Sequence, residues 1–235
     1  MISGFGSCIR CADGVVQIDN FILKPEYRGQ GIGRRIWDEL MKYSRTDNVA
    51  LDSVLDLIPW YKKKGFVHPG FDGISYSFEV TSDLLGRAAS DVRVEELRDD
   101  HWPGILKLDR TVYPKLDRER ILKAYLTGSH AGLRTMVAVD GPEVIGVGST
   151  HMKADGLYGM RNLIARSPTV AEVIVSSLLS EIPPNSKVII KLPAEKKLIP
   201  MLEHATRGFK VTRLHSKEAV EINMDNLWMT LVSMI

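Results

Sequence analysis

The stretch Arg28-Gly29-Gln30-Gly31-Ile32-Gly33 sets three glycines at alternate positions, after the apolar run Asn20 to Leu23 and just before a helical pattern opening at Arg34-Arg35-Ile36. Glycine tolerates positive φ and lets a ligand come close to the backbone, and a helix start points unpaired N–H groups and a positive dipole end outward. Together they make a phosphate-binding place. A ligand-free turn rarely needs glycine three times over. A dinucleotide fingerprint has some appeal, because Asp52 ends a strand about twenty residues on, where an acidic group takes ribose hydroxyls. Its spacing fails: four residues including Pro25 separate the strand from the glycines, and these are not in G-x-G-x-x-G order.

The elements that hold this loop can be read from periodicity. Gly4 to Arg10 and Val15 to Leu23 alternate as a hairpin around Ala12-Asp13-Gly14. Ile32, Ile36, Leu40 and Met41 recur at helical spacing to about Arg45, and Val49 to Ser53 follows as a buried strand. Leu55 to Lys64 reads as a short helix stopped by Gly65, and Phe66 to Val80 as one or two strands through a turn at Pro69 to Gly73. Thr81 to Ser90 is small, polar and glycine-containing, so the expected boundaries are a first domain over 1–80, a linker over 81–91 and a second domain over 92–235. In the second domain a strand begins at Val92, helical patterns cover Asp99 to Val112 and Leu116 to Leu126, and a hairpin turns at Val139 to Pro142. A strand near Leu157 to Ala165, a helix Val170 to Ile182, a strand Lys187 to Leu192 and a helix Leu198 to Thr206 follow, ending at Gly208-Phe209. The halves echo each other: Arg28, Val49 and Gly65-Phe66 find counterparts at Arg166, Val188 and Gly208-Phe209.

Lys24 to Gly33 resembles the pyrophosphate loop of the Gcn5-related N-acetyltransferases, with Arg28, Gly31 and Gly33 meeting the pattern. Pro59-Trp60-Tyr61-Lys62-Lys63-Lys64-Gly65-Phe66 is similar to the aromatic helix ending in Gly-Phe that the family carries after its next strand. The resemblance covers Gly4 to about Val80 and extends to a branch with two such domains in tandem, the YitH-like acetyltransferases. It implies an α/β fold of two tandem mixed-sheet units. The N-terminal one is expected to be shortened, since the family's leading strand and two helices would precede the hairpin that here starts almost at Met1. A second copy or another partner is then expected to cover the exposed sheet. The second domain's loop, Arg166-Ser167-Pro168-Thr169-Val170, lacks an N–H at proline and has β-branched residues that resist positive φ, so it is expected not to hold coenzyme A. Packing on the first domain and walling the acceptor site are its expected roles.

The resemblance further implies acetyl-CoA as cofactor and direct attack of an amine, expected on a small molecule, on the thioester. The loop amides of Gly29, Gln30, Gly31, Ile32, Gly33 and Arg34, with Arg28, would take the pyrophosphate. The backbone of Phe21, Ile22 and Leu23 would pair with the pantetheine amides, and an N–H near Leu23 would face the thioester oxygen. Tyr61 is the candidate acid, since a phenol of pKa about 10 is matched to a thiolate whose acid has pKa about 8.5. The other reading is a half-buried ring packed beneath its helix. Alternation sets Gln17, Asp19 and Phe21 on one strand face, and the family's glutamate base falls near Gln17, which accepts no proton usefully. Asp19 or Asp52 acting through water, or proton loss to solvent, remain open. A rival from another class is a coenzyme A binder of the same fold without turnover.

Composition narrows the rest. With 235 residues, 44% hydrophobic and 26% charged, the chain is globular in character, and its net charge of +2 lacks the cationic excess of a nucleic-acid binder. Lys62-Lys63-Lys64 reads as a solvated helix end. No apolar run reaches the roughly 20 residues of a membrane span, and no signal peptide opens the chain, so a cytoplasmic protein with no membrane partner is expected. Cys8 and Cys11 have no second pair or histidine beside them, and the six histidines are scattered, so no metal is expected. Trp102, Trp228 and Tyr113 read as core aromatics of the second domain.

Overall fold

The computed structural model describes residues 2–44, 46–82, 84, 91–153, 155–196 and 203–230. It is mixed α/β and divides into two compact units. The first comprises 1–71 with Val211–Val220; the second comprises Asp72–Lys210 with 221–230. The expected linker 81–91 lies largely outside the described residues. Among those described, no helix is long and apolar enough to cross a membrane.

The first unit opens with the hairpin of β1 (Gly4–Ala12) and β2 (Val15–Leu23), whose turn needs the positive φ of Gly14, +73°. A 3-10 turn over Pro25–Tyr27 leads to α1 (Ile32–Ser44), then β3 (Asn48–Val54) and α2 (Ile58–Lys63). β3 lies parallel to β2 and is flanked on its other side by residues Val211 to His215 of a much later strand, antiparallel to it. Helix α1 lays Ile36, Trp37, Leu40 and Met41 on the sheet, where they meet Ile18, Val49, Leu51, Tyr61, Phe66 and Leu214. Burying a ring such as Phe66, which is 0% exposed, contributes on the order of 1.5–3 kcal/mol.

A long strand, β4 (His68–Glu79), leaves this unit and enters the second. It runs without the turn expected at Pro69 to Gly73. Gly70 serves a close strand approach instead: a Cβ there would stand 2.9 Å from His215 Cε1 and 3.0 Å from Arg213 Cγ. Pro69 is tolerated because β4 takes up its other ladder only from Gly73 onward.

The second unit then adds β5 (Arg93–Glu96), α3 (Trp102–Val112), α4 (Glu119–Thr127), β6 (Arg134–Asp140), β7 (Glu143–Met152), β8 (Tyr158–Ala165), α5 (Pro168–Ser180) and β9 (Lys187–Pro193). β10 (Thr206–His215), of which only 206–210 belong here, and β11 (Leu227–Met229) follow. Its strand order is β4-β9-β8-β7-β6-β5, with β11 joined to β8. β8 and β9 run parallel, while the β4–β9, β5–β6, β6–β7, β7–β8 and β8–β11 ladders are antiparallel. One face is packed by α5 and the other by α3 and α4. Tyr113 (8%) and Trp228 (8%) are core residues, while Trp102 is only partly buried.

The expected helix Leu198 to Thr206 lies partly outside the described residues, and at Thr206 the chain is already strand. Gly208-Phe209 sits inside β10 and is no helix end. A Cβ on Gly208 would stand 2.5 Å from Ser75 Oγ, which donates to the Phe209 carbonyl at 3.2 Å, so this glycine, like Gly70, admits a neighbouring strand. Gly65 by contrast has φ +94° and ends α2 as a left-handed cap, with the Phe66 N–H donating to the Tyr61 carbonyl at 3.1 Å.

Candidate active site

The loop is built by β2, the 3-10 turn and α1. Gly29 and Gly31 both take φ +77°, a conformation that carries no penalty only for glycine, and added Cβ atoms would meet nothing within 4 Å. The Gln30 side chain donates to the Glu26 carbonyl at 2.9 Å and pins the turn. Arg35 N–H donates to the Gly31 carbonyl at 3.2 Å, so the helix starts there and leaves the amides of Ile32, Gly33 and Arg34 as its orphan donors. Among the described residues no backbone carbonyl accepts from the amides of Gly29 to Arg34. A Cβ on Gly33 would stand 3.5 Å from Leu23 Cδ2 and 3.8 Å from Phe21 Cζ, at ordinary contact distance, so the loop lies beside the end of β2. Arg28 and Arg34 are exposed beside it, Arg34 in a loose i,i+4 pair with Asp38.

Next to the loop the sheet opens. β2 and β3 pair from Val15↔Asn48 to Ile18↔Leu51 and then part. At that point β2 carries a bulge: Ser7 faces Asn20 while Cys8 faces Ile18, leaving Asp19 as the extra residue. The bulge breaks the alternation. Ile18 and Phe21 both lie in the cluster under α1, so Gln17 and Phe21 occupy opposite faces, and the expected shared face of Gln17, Asp19 and Phe21 does not exist. Gln17 is buried and receives only a long contact from Cys11 Sγ, 4.0 Å. Asp19 accepts from Asn20 Nδ2 at 2.9 Å. Phe21, Ile22 and Leu23 pair with Gly6, Phe5 and Gly4 on one side and have no β3 partner on the other.

Tyr61 stands on α2 within a set of rings: Trp37 at 5.8 Å, Trp60 at 5.0 Å and Phe66 at 6.2 Å. Trp60 in turn stacks on Phe21 at 5.9 Å. Burial pushes the Tyr61 phenol above its usual range. Its hydroxyl has no hydrogen-bond partner among the described residues. Lys64, at the helix end, places its ammonium 5.5 Å from the Trp60 ring.

Residues 1–68 match the family model of the Acetyltransferase (GNAT) domain. The chain is 25% identical to the holothin acyltransferase of Pseudoalteromonas, over 80% of this chain and 60% of that protein. It therefore spans about three-fifths of the curated relatives it matches. A putative acetyltransferase of Pyrococcus horikoshii superposes with TM-score 0.73 at 22% identity, covering 97% of this chain and 74% of that one. A tandem GNAT protein from the clavulanic acid biosynthesis pathway superposes with TM-score 0.60 at 13% identity, covering 86% and 74%. At such identities these two establish the fold alone.

Within the first unit, Asp52 is held by a residue no motif points to. Arg213 Nε and NH2 donate to its two oxygens at 2.7 and 3.0 Å, and both side chains are about a tenth exposed. The Arg213 guanidinium also lies 4.9 Å from the Phe71 ring. Two residues on, His215 is 1% exposed with its Nδ1 unpartnered, and burial with the neighbouring Arg213 charge holds it down at about 4.

The second unit's counterpart loop is arranged differently. Arg166 forks onto Glu143 at 2.7 and 2.5 Å, holding that carboxyl at about 2. Ser167 caps α5, its hydroxyl accepting from the Val170 N–H at 3.3 Å, and Pro168 opens the helix without a donor.

Proposed function

We propose that the first unit transfers an acetyl group from acetyl-CoA to the amine of a small molecule. The observation that carries this reading is the row of amides from Gly29 to Arg34, from which no backbone carbonyl among the described residues accepts, at a helix start and adjoining the parted edge of β2. The residues suit the cofactor: the amides are left without backbone acceptors among the described residues, and the space beside Gly29 and Gly31 is the kind a pyrophosphate fills and a side chain would obstruct. Bound there, acetyl-CoA supplies a thioester open to direct attack by an amine.

The chain's own residues position and polarise. The amides of Gly29 to Arg34 with Arg28 hold the diphosphate, and the free edge of Phe21 to Leu23 receives an extended diamide as an added strand. An N–H near Leu23 turned toward the acyl oxygen stabilises negative charge there. Tyr61 keeps its proton throughout the neutral range and gives it to the departing sulfur. Asp19, at the bulge where the strands part, takes the amine proton through water. Asp52, with both oxygens on Arg213, serves as a tie within the sheet rather than as the base. The second unit holds no carrier, in keeping with the capped α5. Free thiols at Cys8 and Cys11 suit a cytoplasmic setting.

A thermal-shift comparison of acetyl-CoA, coenzyme A and NAD on the wild type and on Gly31→Asp tests the reading. Ligand at 100 times its Kd stabilises by about 2.7 kcal/mol. Stabilisation by acetyl-CoA, lost in Gly31→Asp, is expected; stabilisation by NAD alone refutes it. Thiol release with a panel of amines then separates an enzyme from a coenzyme A binder of the same fold.

A further inference from the structure

We infer that the second unit is itself a strand-addition site, and that its ligand is part of the same chain: the segment Asn226 to Thr230 fills the gap between β8 and β9. The two strands are partners only at Tyr158↔Val188 and Gly159↔Ile189. Beyond that, β8 is bulged against β7, with Asn162 at φ +54°, and the strands separate. This repeats the bulge at Asp19 and the parting of β2 and β3 in the first unit.

In the second unit the opening is taken. The Asn162 N–H donates to the Thr230 carbonyl at 3.1 Å and the Ala165 N–H to the Asn226 carbonyl at 2.9 Å. From the other side the Thr230 N–H reaches the Lys191 carbonyl of β9 at 3.3 Å. Leu227 faces Ile164 and Met229 faces Leu163 in antiparallel register. The Trp228 indole donates to the Ala165 carbonyl at 3.0 Å. Leu227 (1%), Met229 (2%) and Trp228 (8%) are buried, Leu227 in the layer under α3 and α4, the other two in the layer under α5.

A backbone ladder with alternating side-chain pockets is how sheets take up extended ligands. Here the ligand is tethered, so it holds the slot at an effective concentration no free carrier matches. The chain therefore takes one acyl carrier, and the second slot is closed by the chain itself as well as by its capped loop. This inference rests on the second unit alone and stands whether or not the first unit turns over.

Amide hydrogen exchange on the full chain, with and without coenzyme A, tests it. Asn162 and Ala165 are expected to exchange at least about 100-fold slower than unstructured chain, like the ladder of β6 and β7, and coenzyme A should leave them unchanged. Leu227→Asp, which puts a carboxylate in the core, should speed both amides at least about tenfold while β6 and β7 keep their protection. Fast exchange at Asn162 and Ala165 in the wild type, new protection there on adding coenzyme A, or a folded Leu227→Asp chain in which both stay slow overturns the inference. Should Leu227→Asp unfold entirely, the wild-type rates decide, and Trp228→Phe, which removes the indole donor and part of the buried ring, should give a smaller rise at Ala165. Absence of coenzyme A protection at Gly29 to Arg34 would instead count against the reading of the first unit.

Discussion

Asp52 and Arg213 face each other across an antiparallel ladder, paired in register and joined by two hydrogen bonds of 2.7 and 3.0 Å, though 161 residues separate them in the chain. The carboxylate that by position alone was a candidate base is thereby committed to a planar guanidinium fork. The pair also ties a late segment of the chain to the sheet of the first unit.

Arg213→Ala leaves the Asp52 charge buried without its fork and is expected to cost about 3–5 kcal/mol. The double variant Asp52→Asn/Arg213→Met should recover a good part of that loss. Urea denaturation midpoints of the single and double variants measure both.

Tyr61→Phe removes a hydroxyl that bonds to nothing described, so stability should change by less than about 0.5 kcal/mol. If Tyr61 is the acid, kcat falls about 10²–10⁴-fold with KM little altered. Since burial raises its pKa, the alkaline limb of the wild-type rate should lie above the ordinary phenol range and vanish in the variant. Steady-state kinetics against pH provide the check.

Gly31→Ala meets no neighbour, so its structural cost is the left-handed backbone alone, roughly 1–2 kcal/mol. Gly208→Ala has ordinary φ but runs into Ser75, costing about 1–3 kcal/mol through overpacking. Coenzyme A binding should suffer in the first and survive in the second, which paired melts and titrations distinguish.

His215 is held near 4 in the folded chain against about 6.5 unfolded. The unfolded state thus binds more protons between those values, and stability rises with pH across that window. Conversely, roughly 3 kcal/mol present above pH 6.5 is lost as pH falls through the window to about 4. His151, likewise depressed to about 4 by burial and Arg161, acts in the same direction. His215→Gln should flatten the pH dependence of the melting temperature between pH 4 and 6.5; an unchanged slope would refute the assignment.

The first unit was largely readable in advance. β1, β2, α1, β3 and α2 fall where alternation, helical spacing and the Gly65 stop predict them, because each is a local pattern with one buried face. Gly-Phe at 208–209 and Pro-Gly at 69–70 misled, because a glycine that ends a helix and one that admits a neighbouring strand look alike in one dimension. The alternation of Gln17, Asp19 and Phe21 failed for a related reason. One bulged residue reverses every face beyond it, and a bulge is set by the partner strand.

Local chemistry was thus decided by residue order alone: the glycine loop with its amides free of backbone acceptors among the described residues, the short aromatic helix and the proline-broken loop of the second half all follow from steric limits within a few residues. What the tertiary structure decided was the fate of groups far apart in the chain. Arg213 takes Asp52, Asn226 to Thr230 takes the edge of β8, and β10 rather than a helix carries Gly208. Such pairings depend on which strands become neighbours, and that is settled by burying the whole apolar surface at once, a balance no local spacing contains.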